Sequence, residues 1–352
     1  MAKIFDKQYS KQELKSYVGD ISQIADAKYS ELKDGRGGGV SVVDIKTGGG
    51  LDISVLPGRG MDFAGAQYKG VPFGYISNTG VVSPTYFDEN GMNYFRNFTA
   101  GLLTTCGLCN VGPPCEDDGK LLGIHGKISN IPADDIGISK EWVGDEFVFK
   151  VRGKVRESEF FAQNLTLTRE ISFSLGDKKI LISDAVENCG FKPHPLMLLY
   201  HFNFGHPLVG TDTKLYHTSA HINPKDDYSA KYLDNCHSFE VPVLDCPENV
   251  FFYDMKPSGD NVFSCLYNDV LGFGVYLKYK KSQLSNFTQW KNMGKGAYVT
   301  AMEPCNTPPI GRAAAREQGI LEFLEEGEVR RFDIELGIVD GRNELAELQN
   351  YK

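Results

Sequence analysis

Apolar side chains recur at every second position along most of this chain, and that pattern limits its fold more than any other feature. Phe147, Phe149 and Val151 alternate with polar or charged neighbours. Leu165, Leu167, Ile171, Phe173 and Leu175 keep the same spacing, with Arg169 interrupting their face. Leu271, Phe273, Val275, Leu277 and Tyr279 repeat it, as do Phe332, Ile334, Leu336 and Ile338. Successive side chains of a strand point to opposite faces, so each run predicts a strand that is apolar on one side and wet on the other. Such strands bury their apolar sides in antiparallel sheets packed face to face. Glycine-containing turns at Gly176 and Gly327 separate the runs, which favours a sandwich or barrel over strand–helix alternation.

Helix signals are few. Ser10 to Glu13 form a capping-box pattern and predict a short helix reaching about Val18. Asn343 to Leu348 predicts a terminal helical turn. Gly35 to Gly39 and Gly48 to Gly50 read as turns flanking a strand from Val40 to Ile45; the first cluster lacks the Lys-Ser/Thr ending of a phosphate loop. No internal repeat, low-complexity tract or linker breaks the alternation between Val40 and Val339. The expected organisation is one large all-β domain over 36–342, an extension at 1–35 carrying the short helix, and a tail at 343–352.

A net charge of -9 on 352 residues argues against nucleic acid or an anionic membrane as a partner. The first ten residues lack the apolar core of a signal peptide, and no run of about twenty apolar residues occurs. A cytoplasmic protein with reduced thiols is the expectation. Cys106, Cys109, Cys115 and His125 have some of the look of a zinc site, but a second closely spaced ligand pair is missing. Small apolar packing residues are the simpler reading of those cysteines, and no metal or cofactor is expected.

Five polar positions stand in unusual surroundings. Arg59 and Asp62 flank a turn in Leu56-Pro-Gly-Arg-Gly-Met-Asp62. Arg96 lies among aromatics in Tyr94-Phe-Arg-Asn-Phe98. His125 follows Leu121-Leu-Gly-Ile124, and His201 follows five apolar or aromatic residues from Leu196 to Tyr200. Glu303 closes the apolar run Tyr298-Val-Thr-Ala-Met302 and precedes Pro304, which is expected to stop strand pairing and leave the carboxylate at a rim. Each position has a structural explanation of its own: an ion pair across a turn, an arginine stacked on a ring, a hydrogen-bonded core histidine. Their joint occurrence carries the functional argument.

The segments Gly123-Ile-His-Gly126, His201-Phe-Asn203 and Glu303-Pro304, in that order, resemble the aldose 1-epimerase (galactose mutarotase) superfamily. Together with Pro57-Gly-Arg-Gly-Met-Asp62, Gly101-Leu-Leu-Thr-Thr-Cys-Gly-Leu108 and Glu303-Pro-Cys-Asn306 they are most similar to its aldose-1-epimerase-like branch. The resemblance spans roughly 40–340. It implies a β-supersandwich that holds a small carbohydrate in an open cleft, with Glu303 as general base and His201 as general acid. It implies substrate-binding roles for His125 and Arg96. The superfamily's substrate-binding aspartate has no clear counterpart; Asp226, Asp227, Asp245 and Asp254 are all candidates, and Arg59 and Asp62 of the branch motif are candidates to replace it.

Opening a hemiacetal ring requires a proton to leave the C1 hydroxyl and another to reach the ring oxygen. A carboxylate and a protonated imidazole on opposite sides of the ring can do both without metal, nucleotide or covalent intermediate. Phe95, Phe202, Phe204 or Trp290 are candidates to cover the sugar's apolar face. The expected activity is therefore interconversion of the anomers of an aldose or sugar derivative. The alternatives are a sugar-binding or regulatory protein using the same cleft, and isomerase or lyase chemistry beside the carbonyl.

Overall fold

The computed structural model describes residues 2–4 and 7–350. Two antiparallel sheets of twelve and eight strands account for most of it. Five neighbouring strands of the larger sheet build the site: β1 (Leu103–Leu108), β2 (His194–Gly205), β3 (Asn249–Met255), β4 (Asn286–Gly294) and β5 (Ala297–Cys305). In space they run β3–β4–β5–β2–β1, and the sheet continues past β1 through Asp62–Tyr68, Leu51–Leu56 and Ser41–Lys46 to an edge at Asp26–Glu31. The residues expected to form an extension thus contribute an edge strand, and their Ala2, Ile4, Leu14 and Val18 are buried in the main core.

The alternation seen in the sequence becomes the interface between the sheets. Phe149, Leu167, Ile182, Leu277 and Ile334 from the smaller sheet meet Phe202, Phe204, Phe251, Phe287 and Met302 from the larger one. Arg169, which breaks the pattern, is fully buried in this core. It donates to Asp184 (2.7 and 2.9 Å) in the neighbouring strand and to Thr105 Oγ1 (3.0 Å) across the sandwich. Tyr200 donates to Asp184 (2.7 Å), and Asp62 accepts from Thr105 N–H (2.9 Å) and Oγ1 (2.7 Å). A buried charge survives only when paired and hydrogen-bonded, and here the pairing ties the two sheets together.

β2 is apolar on both faces because both are covered. Leu196, Leu198, Tyr200, Phe202 and Phe204 point into the main core. Met197 and Leu199 join Cys106, Cys305 and Ala315 in a second cluster on the opposite face. Ser10 caps the predicted short helix, observed at Lys11–Tyr17, with a reciprocal capping box through Glu13. A second helix at Arg342–Gln349 covers the predicted terminal turn. No helix among the described residues is long and apolar enough to cross a membrane.

Candidate active site

Strand register builds the floor of the site. Thr104 faces His201 across β1 and β2. The pairs Leu199↔Cys305 and Phe202↔Met302 set His201 opposite Glu303 on β5. Glu303 in turn faces Thr288 on β4, which faces Phe252 on β3. Thr104, His201, Glu303, Thr288 and Phe252 therefore form one row across five strands, on the face turned away from the main core. Trp290, two residues from Thr288, shares that face.

Pro304 does not end the strand, contrary to expectation. β5 continues through Pro304 to Cys305, and Pro304 pairs with Phe287 of β4. What the missing N–H removes is local: the ladder to β2 skips the positions opposite Glu303 and Pro304. Glu303 consequently lies in the middle of a sheet, 2% exposed, rather than at a rim.

Loops raise the walls. His125 has a left-handed backbone (φ 58°), rare outside glycine and common where function over-determines a side chain. Gly126 is also left-handed (φ 70°), and a Cβ there would meet the Gly107 carbonyl at 2.3 Å. The Gly112 N–H donates to His125 Nδ1 (3.3 Å), so the neutral ring carries its proton on Nε2. Rings of Phe98 (5.7 Å), His125 (5.9 Å) and Trp290 (5.5 Å) surround His201, all edge to face. Glu248 accepts from the Trp290 indole N–H (2.9 Å) and lies 3.4 Å from Lys225 Nζ. The cavity so enclosed is roughly 680 Å³.

His201 Nε2 and Glu303 Oε1 approach to 3.1 Å. They are not aligned for a hydrogen bond, and among the described residues no donor reaches Glu303 Oε1 and no partner pairs with His201 Nδ1. Burial, reinforced by the charge of Glu248, raises the Glu303 pKa well above the ordinary carboxylate value. Burial and neighbouring His125 lower His201 to about 3. Burial, with Lys225 adding to it, lowers His125 to about 4. Both shifts favour the uncharged forms, a carboxylic acid beside a neutral imidazole.

His201, Glu303, His125 and Trp290 thus converge on one cavity, together with Phe95. Arg96 is exposed outside it; its backbone carbonyl accepts from Arg36, and its charge helps to hold the Asp88 carboxyl down. Asp62 belongs to the interior network behind β1, where burial raises its pKa to about 7 against the pull of Arg169. Arg59 is buried and donates to the carbonyls of Val82 and Asn97. It acts on the site indirectly, by pinning the segment that carries Tyr94, Phe95 and Phe98. Phe202 and Phe204, candidates for sugar stacking, face the main core instead.

Sequence reasoning missed Glu248, Lys225, Phe98 and Phe252. Glu248 lies between His201 and Glu303 in the chain, where an acidic substrate ligand was sought among four aspartates. The available signal was parity: Glu248, Val250 and Phe252 are spaced to share one face, and all three line the cavity. Cys106 and Cys305 pack in the small apolar cluster beside the floor, on the same face of the sheet.

A sequence profile described as a domain of unknown function, DUF4432, matches residues 37–338. The chain belongs to that family. This DUF4432 chain is similar in structure to a Klebsiella pneumoniae protein described as a candidate aldose 1-epimerase. The TM-score is 0.86 at 24% identity, over 92% of this chain and 85% of that one. The galactose 1-epimerase of Lactobacillus acidophilus matches with TM-score 0.59 at 12% identity, covering 90% of this chain and 100% of its own. A galactose mutarotase-like protein of Clostridium acetobutylicum matches at 0.58 and 15%, covering 90% and 99%. These likenesses show the galactose mutarotase-like sandwich for the DUF4432 chain. No curated protein sequence matches it.

Proposed function

We propose that the cleft interconverts the anomers of a reducing sugar by acid–base ring opening. The observation that carries this reading is the 3.1 Å approach of His201 Nε2 and Glu303 Oε1 on the cavity floor. O1 and the ring oxygen of a hemiacetal share one carbon, so two groups this close can reach both from the same edge of the ring. The flanking arrangement expected from sequence, with acid and base on opposite sides, is not required.

His201 as neutral imidazole accepts the proton of the C1 hydroxyl while the Glu303 carboxyl gives its proton to the ring oxygen. The bond from C1 to the ring oxygen breaks and the C1–O1 bond becomes a carbonyl. Rotation about C1–C2 presents the other face, and the two protons return as the ring closes. Shared occupancy of one proton by the pair also permits the reverse allocation, with Glu303 as base and imidazolium as acid, at the same total protonation. The raised proton affinity of Glu303 and the lowered one of His201 favour the first allocation.

Exchange NMR between anomers, or polarimetry, tests the reading on a panel of aldoses. Enzyme-dependent exchange supports it; sugar binding without exchange would favour the second reading, a binding protein whose uncharged floor only hydrogen-bonds its ligand.

A further inference from the structure

Resting on the proposed anomerisation, the composition of the walls identifies the sugar further. We infer that the cleft selects an uncharged deoxyhexose over fully hydroxylated and anionic sugars.

Charge comes first. Among the residues lining the cavity, Lys225 is the sole cation, and Glu248 already lies 3.4 Å from it. Glu248 and Glu303 are the acids, so a phosphate or uronate would meet one half-neutralised ammonium and at least one carboxylate. Tight phosphate sites use converging arginines or lysines. Arg59 and Arg96, the two arginines flagged from sequence, do not line the cavity.

Hydrogen bonding comes second. Titratable side chains that can bond sugar hydroxyls sit in two places: His201 and Glu303 at the floor with His125 in the wall beside them, and Lys225 with Glu248 on another wall. Tyr94 also lines the cavity, but its hydroxyl is buried toward Cys106, Ser129 and Asp62. The Trp290 N–H is taken by Glu248. The rest of the lining is largely carbon, chiefly Phe95, Phe98, Ile124, Phe252 and Ile310. A hydroxyl pressed against those groups loses water and gains no partner, which disfavours binding. A hydroxyl of a fully hydroxylated hexose that is directed at the carbon-rich part of the lining has no side-chain partner there. A sugar with a methyl or methylene in place of one of them fits the remaining surface.

Exposure comes third. Met92 (54% exposed) and Phe95 (48% exposed) present large apolar surface at the mouth of this cavity. Apolar side chains left open beside a polar floor mark a surface that an apolar part of a ligand covers.

The test compares pairs differing by one hydroxyl, fucose with galactose and rhamnose with mannose, plus galactose 6-phosphate, by anomeric exchange NMR with the purified full chain. The expected result is a kcat/KM about 10- to 100-fold higher for the deoxy member of at least one pair, and no gain from phosphorylation. Equal or better use of the parent hexose in both pairs, or preference for the phosphate, would overturn the inference while leaving anomerisation standing. Exchange with none of the sugars would instead remove the proposed function. The inference is then decided by ligand-observed NMR binding on the same pairs: preference for a deoxy sugar sustains it, and no preference ends it. F95N, at a half-exposed position, is expected to narrow the ratio, and an unchanged ratio would overturn the role given to the carbon wall.

Discussion

Glu303 reaches within 3.1 Å of His201 although the two residues are a hundred positions apart, because β5 and β2 are neighbours whose register sets them opposite each other. Their proton affinities are pushed in opposite directions by the same burial. The pair holds one proton across a wide span of pH, either as carboxylic acid with imidazole or as carboxylate with imidazolium.

That shared proton fixes the pH profile. His201, lowered to about 3, takes up a second proton only in strong acid. Glu303, raised by burial, gives up the shared proton only above the normal carboxylate range. Anomer exchange should fall on the acid side as His201 protonates near about pH 3, and on the alkaline side as Glu303 ionises above the ordinary carboxylate range. An acid-side fall centred near the ordinary histidine value would contradict this arrangement. E303Q and H201N should each lose about 10²- to 10⁴-fold in kcat while still binding sugar.

Asp62 gives a stability signature separate from activity. Its folded pKa, about 7, lies above its unfolded value of 3.8, so the folded chain holds an extra proton between those limits. The stability linked to that proton is complete below the unfolded value and disappears as pH rises through the folded one. D62N keeps the acceptor for Thr105 and removes the titration. Relative to wild type it should gain roughly 2.5 kcal/mol of stability between pH 5 and pH 8, the part of the shift that lies above pH 5. Urea unfolding of both proteins at the two pH values measures this; a constant difference would mean that Asp62 is ionised throughout.

Arg59 tests the loop that carries the aromatic wall. Its guanidinium spans two carbonyls, those of Val82 and Asn97. A lysine cannot fork to both. R59K should therefore loosen the segment bearing Phe95 and Phe98, raising KM several-fold while kcat changes little, with a loss of about 1–3 kcal/mol in stability for the carbonyl left unpaired. Equal losses in kcat and kcat/KM would instead put Arg59 in contact with the reacting sugar.

The sandwich was legible because alternation is a local property, visible within a few residues of Phe149 or Leu167. Arg169 was legible as an anomaly, and its cause proved to be Asp184 on the next strand. What stayed hidden depends on strand order and register. Nothing local in the chain says that Thr104, His201, Glu303 and Thr288 fall in one row, or that Phe202 and Phe204 face inward while His201 faces out. Pro304 misled because a proline can remain in an interior strand where one ladder is already interrupted. Arg59 and Asp62 were noticed as charges beside an apolar strand, but charge in the core and charge in the cleft look alike in sequence.

Glu248 tests the coupling between wall and floor. Its carboxylate is anchored by the Trp290 indole and contributes, after burial, to the raised proton affinity of Glu303. Negative charge nearby makes ionisation of a second carboxyl harder, so neutralising the first makes it easier. E248Q keeps an oxygen for the indole and removes the charge. The alkaline limb of the rate profile should consequently move to lower pH, while the acid limb governed by His201 stays where it is. Sugar affinity should fall as well, since charge-assisted hydrogen bonds are about twice as strong as neutral ones. Exchange NMR across the pH range separates the two effects, and an alkaline limb that does not move would uncouple Glu248 from the proton-transfer pair.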